Sequence, residues 1–291
     1  MAIKCFLCDN DKFASLNNSL NLKKCLFCGL VINSLRPDLE SLEEYYSNPH
    51  YYDYWSDNIS DKKIEKLKKT TYGYYLFKIK QYLTKGKFLD IGCGLGYALE
   101  TASKLGWQSY GLEVSSKIAK ITQKKFGKKI FVGLLEKSKI PHSFFNLISL
   151  FDVIEHFNNP LKCLTLINNL LVKDGFLMIV TPDIYSLTAK LFMTYWPHFL
   201  PEHLTYFSYS TLKKTLEKSG FETVYYEPAK KYQNFDYIVH RLSIYPKPIL
   251  TRIAKFADHL IPEGLNQKMF PLKTGEMFIL ARKKKNISFC K

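Results

Sequence analysis

The sequence lacks any apolar run of about 18 residues, the length at which a segment becomes a candidate membrane-spanning helix. It also lacks the basic and then apolar pattern of an N-terminal secretory signal. No internal repeat is evident. From these absences we expect a soluble, cytoplasmic protein. The length of 291 residues suits one large domain with an appendage.

Acidic side chains are scarce relative to basic ones. The chain has 26 Asp and Glu residues against 42 Lys and Arg residues, a net charge of +16. This balance favours acidic partners, such as a phosphorylated or nucleotide-linked substrate, RNA or an anionic membrane surface. A generally lysine-rich composition explains it equally well. The charge is spread widely, with dense patches at Lys62–Lys69 and Arg282–Lys285 but no basic tract interleaved with aromatic residues, so we expect no DNA partner.

Four of the seven cysteines form two Cys-x-x-Cys pairs with sixteen residues between the pairs. Each pair places two thiolates on one turn, and two such turns complete a tetrahedral site of four sulfurs, as in a structural zinc ribbon. A segment this short buries little apolar surface, so we expect zinc to fold it. The alternatives are two unrelated pairs or a redox-active pair. The predicted ligands are Cys5, Cys8, Cys25 and Cys28.

The most informative segment is Phe88–Tyr97, which reads FLDIGCGLGY. A short apolar strand leads into a turn containing Gly92, Gly94 and Gly96, and a segment with apolar residues at helical spacing follows. Glycines allow a sharp turn and a close approach of the backbone to a ligand. An acid, Glu113, ends the next apolar segment. Together these features predict a nucleotide-ribose site in a doubly wound α/β sheet.

The motif Leu89–Gly96 (LDIGCGLG) resembles motif I of the class I S-adenosylmethionine (SAM)-dependent methyltransferases. Dinucleotide sites use GxGxxG without a leading acid, so Asp90 and the early third glycine favour SAM over NAD. The resemblance implies that Asp90 and the glycines border the methionine part of SAM and that Glu113 accepts hydrogen bonds from the ribose hydroxyls. The cofactor-binding set that it implies is Asp90, Gly92, Gly94, Gly96, Glu113, Leu134, Phe151 and Asp152.

Strands and helices alternate after residue 86, which predicts a parallel sheet with crossover helices. The resemblance implies a seven-stranded, Rossmann-like α/β sheet whose last strand is antiparallel. The predicted strands are Phe88–Ile91, Trp107–Leu112, Ile130–Val132, Leu147–Phe151, Phe176–Val180, Phe221–Tyr226 and Glu276–Ala281. The predicted helices are Pro37–Glu44, Ile64–Leu83, Tyr97–Leu105, Ser115–Phe126, Leu161–Leu171 and Ser210–Ser219, the last capped by Ser210.

We divide the chain into a zinc ribbon at 1–34, a helical and aromatic connector at 35–85 and a methyltransferase domain at 86–291. Insertions at 183–209 and 227–274 decorate this domain, and the first leaves from the strand ends where it can cover the acceptor. The tyrosine-rich segment Tyr45–Trp55 either covers the SAM or substrate pocket or docks the ribbon on the core. The segment Pro248–Leu260 is a basic amphipathic helix, suited to the core, a subunit interface or a peripheral membrane contact.

The segment Phe151–His156 (FDVIEH) follows the fourth predicted strand of the main sheet. It resembles the corresponding motif of small-molecule methyltransferases, including the ubiquinone-biosynthesis O-methyltransferases, and it lacks the N/D-P-P-Y/F motif usual in enzymes that methylate nucleobase amino groups. Asp152, Glu155 and His156 form an oxygen and nitrogen cluster that could bind Mg²⁺, as in some related O-methyltransferases. We favour the alternative that Glu155 and His156 orient the loop by hydrogen bonds, and His156 belongs to the predicted catalytic set.

The segment Phe199–Ser208 (FLPEHLTYFS) resembles two family patterns. One is P-x-H-L-x-x-F-S of small-molecule methyltransferases, and the other is Y-x-E-H of sugar C-methyltransferases, which also carry an N-terminal zinc domain. Leu200 stands where the second pattern has tyrosine. His203 is the predicted general base, because an imidazole can take a hydroxyl proton near neutral pH. Glu202 would raise its pKa or fix its tautomer, and the alternative is a structural loop histidine.

The sequence therefore predicts an enzyme that transfers a methyl group from SAM to a small molecule, most simply to a hydroxyl of a sugar, nucleotide-linked sugar or glycan. The predicted cofactors are SAM and a structural Zn²⁺. An RNA methyltransferase is one alternative, because the positive charge and a zinc module would suit it. A non-catalytic protein that keeps the SAM fold as a scaffold is another, although a scaffold needs neither Asp90, the glycines nor Glu113.

Overall fold

The computed structural model describes residues 4–37, 39–48, 62–244, 251–254, 256–257, 261 and 264–284. Within them the strands are β1 (Phe13–Asn17), β2 (Leu22–Cys25), β3 (Val31–Asn33), β4 (Lys87–Ile91), β5 (Gln108–Glu113), β6 (Ile130–Val132), β7 (Phe145–Phe151), β8 (Leu171–Pro182), β9 (Thr205–Tyr206), β10 (Phe221–Pro228), β11 (Lys231–Gln233), β12 (Phe270–Leu272) and β13 (Glu276–Lys283). The helices are α1 (Leu39–Ser47), α2 (Lys62–Ile79), α3 (Tyr97–Lys104), α4 (Ser116–Phe126), α5 (Pro160–Leu170), α6 (Leu187–Phe192), α7 (Tyr209–Lys218) and α8 (Phe235–Ile244).

Seven strands form the main sheet in the order β6-β5-β4-β7-β8-β13-β10. The strands from β6 to β8 pair in parallel, whereas β13 is antiparallel to both β8 and β10. The predicted α/β sheet with an antiparallel last strand is therefore confirmed. Because parallel strands end at one edge of a sheet, the segments after β4, β5 and β7 come together there.

The core residues of the sheet alternate between its two faces. Leu89 belongs to one buried cluster and Phe88 to the other, and the same division separates Ile148 from Leu147 and Ile179 from Met178. Successive side chains of a strand point to opposite faces. Helices α5 and α7 supply apolar residues to the first cluster, whereas α2 and α3 supply them to the second. Burial on both faces explains why these strands read as continuous apolar runs rather than alternating ones.

Helix α7 differs from its prediction at the N-terminal cap. Ser208, not Ser210, is the cap residue: its Oγ accepts a hydrogen bond from the backbone N–H of Thr211 at 3.2 Å. The Oγ1 of Thr211 in turn accepts from the Ser208 N–H at 2.9 Å. This reciprocal pair needs a spacing of three residues, which Ser208 and Thr211 have and which selects the earlier serine.

The cysteine-rich N-terminal segment is joined to the first insertion by a shared sheet. Strands β1, β2 and β3 continue into β9, with Val31 opposite Tyr206 and Ile32 opposite Thr205. A small buried cluster that includes Val31, Tyr206 and Trp196 packs beneath this junction. The N-terminal segment thus adds its edge strand to the loop that follows β8.

The second insertion contains the antiparallel pair β11 and β12, with α8 between them. Residues 251–254 are helical, with Ala254 buried and Ile253 exposed, whereas most of the predicted amphipathic helix Pro248–Leu260 lies outside the described residues. The same holds for residues 49–55 of the tyrosine-rich segment. Within the described residues, no helix has the length and apolar character that crossing a membrane requires.

Candidate functional site

The predicted nucleotide turn joins β4 to α3. The backbone N–H groups of Gly92 and Cys93 donate to the carbonyl of Leu112 at 2.8 and 3.0 Å, which ties the turn to the end of β5. The φ angles of Gly92, Gly94 and Gly96 are 75°, 50° and 79°. These values lie in the left-handed region, which glycine adopts without steric cost. The turn therefore has the backbone that its glycines predict.

The three glycines have different neighbours. A Cβ on Gly92 would lie 2.6 Å from Cγ2 of Val153, and a Cβ on Gly96 would lie 3.0 Å from Cγ2 of Thr122. No described atom lies within 4 Å of a Cβ placed on Gly94. Packing of the protein thus explains Gly92 and Gly96. Gly94 faces open space, where a ligand can approach the backbone closely.

Glu113 lies at the end of β5 and faces the glycine turn. Its Oε2 accepts a hydrogen bond from the Gly94 N–H and its Oε1 accepts one from the Ser115 N–H, both at 2.9 Å. Burial raises the pKa of Glu113, and the backbone N–H donors oppose this shift. Each carboxylate oxygen keeps a further lone pair. A carboxylate fixed in this way suits a pair of ribose hydroxyls, so the residues present fit the predicted nucleoside.

Asp90 is buried near the end of β4, on the other side of the turn. Its Oδ1 accepts a hydrogen bond from the Ser149 hydroxyl at 2.5 Å. Burial raises its pKa to about 7, and the nearby charge of Glu113 adds to this effect. A buried carboxylate of this kind is stabilised in its charged form by a cationic partner. Asp90 therefore fits the ammonium group of a methionine moiety.

Two further predicted cofactor contacts lie at the same edge of the sheet. Phe151 ends β7, and its ring packs against Tyr72 and Tyr75 at centroid distances of 4.7 and 5.8 Å. Leu134 is half-buried in the loop that follows β6. Both positions flank the turn and Glu113 because β6 and β7 are on either side of β4 and β5. Their roles in binding stay predictions.

Asp152 does not join the metal cluster that its sequence position predicts. Its φ is 55°, and its carboxylate pairs with Lys231 Nζ at 2.6 Å. Lys231 also pairs with the buried Glu276. Although burial raises the pKa of Glu276, the charge of Lys231 outweighs it and lowers that pKa to about 2. The carboxylate of Asp152 is thus engaged by a half-buried ammonium that the sequence did not reveal.

His203 takes the place of Asp152 beside Glu155 and His156. One potential ligand atom from each of these three side chains lies within 4.8 Å of the other two. The imidazole rings of His156 and His203 meet edge to face with centroids 4.8 Å apart. Glu155 Oε2 accepts a hydrogen bond from the Thr181 hydroxyl at 2.8 Å. The predicted Asp152–Glu155–His156 cluster is corrected accordingly.

The electrostatics of this cluster differ from those predicted. Burial raises the pKa of Glu155 to about 8 and lowers that of His156 to about 4. Burial, together with the neighbouring His156 and His198, lowers the pKa of His203 well below its ordinary value. Glu202 was expected to raise it. Instead, the backbone of Glu202 favours the protonated form of His156, and the backbone of His198 favours that of His203.

Tyr46, on α1, is half-buried, and its ring packs edge to face against Tyr45 at a centroid distance of 5.3 Å. Burial raises the pKa of its hydroxyl, and the charges of Tyr45, Glu202, Glu113 and Glu155 contribute in the same direction. Both interpretations of the tyrosine-rich segment, as a cover of the pocket or as a dock for the ribbon, stay predictions.

Two half-buried cations, Arg36 and Lys231, were missed by reasoning from the sequence. Arg36 donates to the backbone carbonyls of Asn158 at 2.5 Å and of Phe157 and Leu204 at 3.3 Å. Burial lowers its pKa to about 10. Lys231 holds Asp152 as described above. The Arg36 partners are 121 to 168 positions away, so no local sequence signal could have identified it.

The four predicted zinc ligands come together in the N-terminal segment. Sγ of Cys5 lies 3.5 Å from Sγ of Cys28, and Sγ of Cys8 lies 3.5 Å from Sγ of Cys25. All four sulfurs lie within 4.8 Å of one another, and none of them forms a disulfide among the described residues. A tetrahedral ion with bonds of about 2.3 Å would separate its sulfurs by about 3.8 Å. The donor set and spacing therefore fit Zn²⁺.

Comparisons with known proteins identify the family of this chain. The family described as "Methyltransferase domain" matches residues 67–226, more than half of the chain. A search of curated proteins found no match.

Several solved structures have a similar fold. One is a chain from the Haloferax volcanii complex of the Trm112 methyltransferase activator, with 14% identity, a TM-score of 0.57 and coverage of 80% of this chain and 98% of that one. A SAM-dependent methyltransferase of Thermotoga maritima has 19% identity, a TM-score of 0.51 and coverage of 85% and 100%. The YcgJ protein of Bacillus subtilis has 15% identity, a TM-score of 0.52 and coverage of 74% and 99%. At these identities the similarity shows a shared fold.

Proposed function

The chain belongs to the methyltransferase-domain family and is a SAM-dependent methyltransferase, and from this premise we propose that it methylates a hydroxyl group of a small molecule. The acceptor class that we propose is a sugar, a nucleotide-linked sugar or a glycan. The observation that carries the proposal is the buried group of proton-accepting atoms on Glu155, His156 and His203, at the edge of the sheet where the acceptor would lie. Family membership favours this enzyme over the non-catalytic scaffold.

In this proposal the glycine turn and the two acids hold SAM. Glu113 accepts hydrogen bonds from the ribose hydroxyls, and Asp90 holds the ammonium group of the methionine moiety. Gly94 leaves the space that the ligand needs. Leu134 and Phe151 flank the nucleoside. Both acids are fixed by hydrogen bonds from the protein before SAM arrives, so little ordering is needed on binding.

The sulfonium of SAM supplies an electrophilic methyl group, and a hydroxyl acceptor must lose its proton as the new bond forms. The lowered pKa of His203 keeps its imidazole neutral, and Nδ1 has no hydrogen-bond partner among the described residues. This atom is free to accept a proton. Positioning contributes up to roughly 7–11 kcal/mol in the best cases, and a general base contributes about 100- to 10,000-fold.

A substitution at His203 tests its part in proton removal. His203→Ala should lose methyl transfer and keep its affinity for SAM, because the ribose and methionine contacts lie on β4 and β5. His142→Ala is the matched control, since His142 is exposed on a different loop. Activity near that of the unmodified enzyme in His203→Ala would rule out His203 as the base.

The acceptor itself is tested with methyl-labelled SAM and a host extract divided into RNA, lipid, polysaccharide and small-molecule fractions. The net charge of +16 suits an acidic acceptor, such as a nucleotide-linked sugar. Label in the polysaccharide or small-molecule fraction supports the proposal. Label in RNA overturns it in favour of an RNA methyltransferase, whose affinity should fall steeply with salt.

We also propose that Cys5, Cys8, Cys25 and Cys28 bind a structural Zn²⁺. Four thiolates fill a tetrahedral site and leave no open position for chemistry. The test is metal analysis of the purified protein, with Cys25→Ser as the variant. One zinc per chain that the variant loses, with a lowered melting temperature, would support the proposal. A full chain that folds with no metal bound to these sulfurs would refute it.

A further inference from the structure

We propose that Glu155, His156 and His203 bind a divalent transition-metal ion at a second site, separate from the four cysteines, and that this ion holds the oxygen to be methylated. The role in methylation rests on the proposed function, whereas the metal site itself does not. Glu155 and His156 come from the turn after β7, and His203 comes from the insertion after β8. Both segments start at the carboxyl edge of the parallel strands.

The positions of the three side chains suit one ion. One potential ligand atom of each lies within 4.8 Å of the others. Ligands of a common ion lie roughly 3–4 Å apart, since metal–nitrogen bonds are about 2.0–2.1 Å long. The three atoms therefore need to move inward by about 1 Å or less. Glu155 and His203 are 1% and 4% exposed, so the site is enclosed by protein.

Three buried atoms of the cluster have no hydrogen-bond partner among the described residues. They are Oε1 of Glu155 and Nδ1 of both His156 and His203. The backbones of Glu202 and His198 favour the protonated forms of His156 and His203, respectively. When Nε2 carries the proton of a neutral ring, Nδ1 carries a lone pair. The three buried atoms then have lone pairs that no described donor satisfies, and a cation can satisfy them.

A proton is the competing occupant. If Glu155 were protonated, its hydroxyl could donate to one of the two imidazoles. The Nδ1 atom of the other imidazole would then stay buried without a donor, which is unfavourable. A metal ion satisfies all three atoms at once. The arrangement therefore favours the metal over the proton.

Neighbouring backbone and hydroxyl groups orient the three side chains of the cluster, as is usual for the ligands of a metal ion. Histidine ligands generally donate their other N–H to a carbonyl or a carboxylate, which fixes the tautomer and the ring. For His156 and His203, the backbones of Glu202 and His198 are the groups that favour ring protonation and could take this role. The Thr181 hydroxyl holds the remaining oxygen of Glu155 at 2.8 Å. The Leu204 N–H also donates to the Glu155 carbonyl at 2.9 Å, which fastens the two segments together.

The donor set selects the kind of ion. Two imidazoles and one carboxylate suit Zn²⁺, Mn²⁺, Fe²⁺, Co²⁺ or Ni²⁺, whereas Mg²⁺ prefers oxygen ligands. Asp152, which would have made the site richer in oxygen, pairs with Lys231 instead. Three protein ligands leave open positions, unlike the four cysteines. A hydroxyl bound at an open position becomes more acidic and releases its proton to water. With the ion bound, His203 is a ligand, and the ion takes over the part in proton removal that His203 has in the metal-free site.

Cobalt binding tests the metal site without any substrate. Co²⁺ is added to the full-length protein after its metals are removed, and its absorption is followed. Two equivalents should bind, one with the intense charge-transfer band of a thiolate site and one without that band. A single equivalent that carries the thiolate band, in a protein that still binds SAM, would overturn the proposal.

Two variants assign the second equivalent to this cluster. Glu155→Gln removes a charged ligand with little change in size, and it should lose the equivalent that lacks the charge-transfer band while keeping the thiolate equivalent. Thr181→Val removes only the hydroxyl that orients Glu155, so it should weaken the same site by about 10- to 100-fold. His142→Gln is the control for surface histidines. Retention of the second site in Glu155→Gln would place it elsewhere and refute the assignment.

Activity is measured separately so that the two proposals can fail independently. Removal of the metal ion from the Glu155 cluster should abolish methyl transfer and leave SAM affinity unchanged. Addition of Mn²⁺ or Co²⁺ should restore the activity. If the second metal ion binds but no small molecule or polysaccharide is methylated, the proposed acceptor is refuted and the metal site stands. Methylation that persists after the second metal is removed would keep the proposed function and refute the role of the ion.

Discussion

Replacing Glu113 with alanine is expected to weaken SAM binding without unfolding the enzyme. The carboxylate accepts one backbone N–H on each oxygen, from Gly94 and from Ser115. It therefore meets a ribose with both oxygens already oriented and with a free lone pair on each. Alanine removes both acceptors and also leaves the two N–H groups without their partner.

The magnitude follows from the charge of the acceptor. A hydrogen bond to a charged group contributes about 1.5–3 kcal/mol, and the loss of one such bond corresponds to roughly a 10- to 150-fold weaker affinity. Water that enters the vacated space can replace some of the lost partners of the ribose hydroxyls and of the two N–H groups. We therefore take the loss of a single hydrogen bond as the lower limit of the effect. Glu113→Gln should show a smaller effect, because its amide keeps one oxygen acceptor.

Isothermal titration calorimetry with SAM measures these affinities, and thermal denaturation shows whether each variant is folded. Glu217→Ala is the control, since Glu217 is an exposed carboxylate on α7 that forms a long ion pair of 4.0 Å with Lys213. Unchanged affinity in a folded Glu113→Ala variant would refute the assignment of Glu113 to the ribose. An equal loss in Glu217→Ala would show that the effect is not specific to the site.

Three further predictions concern the turn, the first acid and the N-terminal segment. Gly94→Ala should lower the free energy of unfolding by only about 1–2 kcal/mol, measured by urea denaturation, but should reduce SAM affinity strongly, because its Cβ occupies the space left for the ligand. SAM affinity should fall as the pH drops through about 7, where Asp90 becomes protonated and uncharged, and calorimetry on Asp90→Asn should show a flatter pH profile. Arg36→Ala should lower the free energy of unfolding by at least roughly 1.5–3 kcal/mol, because a half-buried charged donor is lost, and Arg36→Lys should not restore it fully. Wild-type stability in Arg36→Ala would contradict the importance of these hydrogen bonds.

The main sheet and the SAM turn could be predicted because their signals are local. The apolar residues of β4, the glycines after it and the acid at the end of β5 lie within one stretch of about 25 positions, which is typical of a nucleotide-binding unit. Turn chemistry and apolar periodicity act over a few residues, so a single sequence contains them. The clustering of the four cysteines could be predicted for the same reason, since the spacing within each pair determines whether its two sulfurs can bind one ion.

The acceptor side of the site could not be predicted in the same way. Asp152 pairs with Lys231, which is 79 positions away, and His203 meets His156 from a different segment of the chain. Neither contact leaves a trace in local periodicity or in turn residues. The sequence therefore placed Glu155 and His156 in one cluster after β7 but grouped Asp152 with them in place of His203.

The N-terminal segment is placed where it can influence the acceptor side more than the SAM side. Strand β3 pairs with β9, and Arg36 donates to the carbonyl of Leu204, the residue next to His203. The N–H of Leu204 donates in turn to the carbonyl of Glu155. A continuous set of hydrogen bonds thus runs from the cysteine-rich sheet to the Glu155 cluster, whereas Glu113 is held by the backbone of the glycine turn and of Ser115. The cysteine-rich sheet therefore supports the Glu155 cluster, the part of the site where we propose that the acceptor binds.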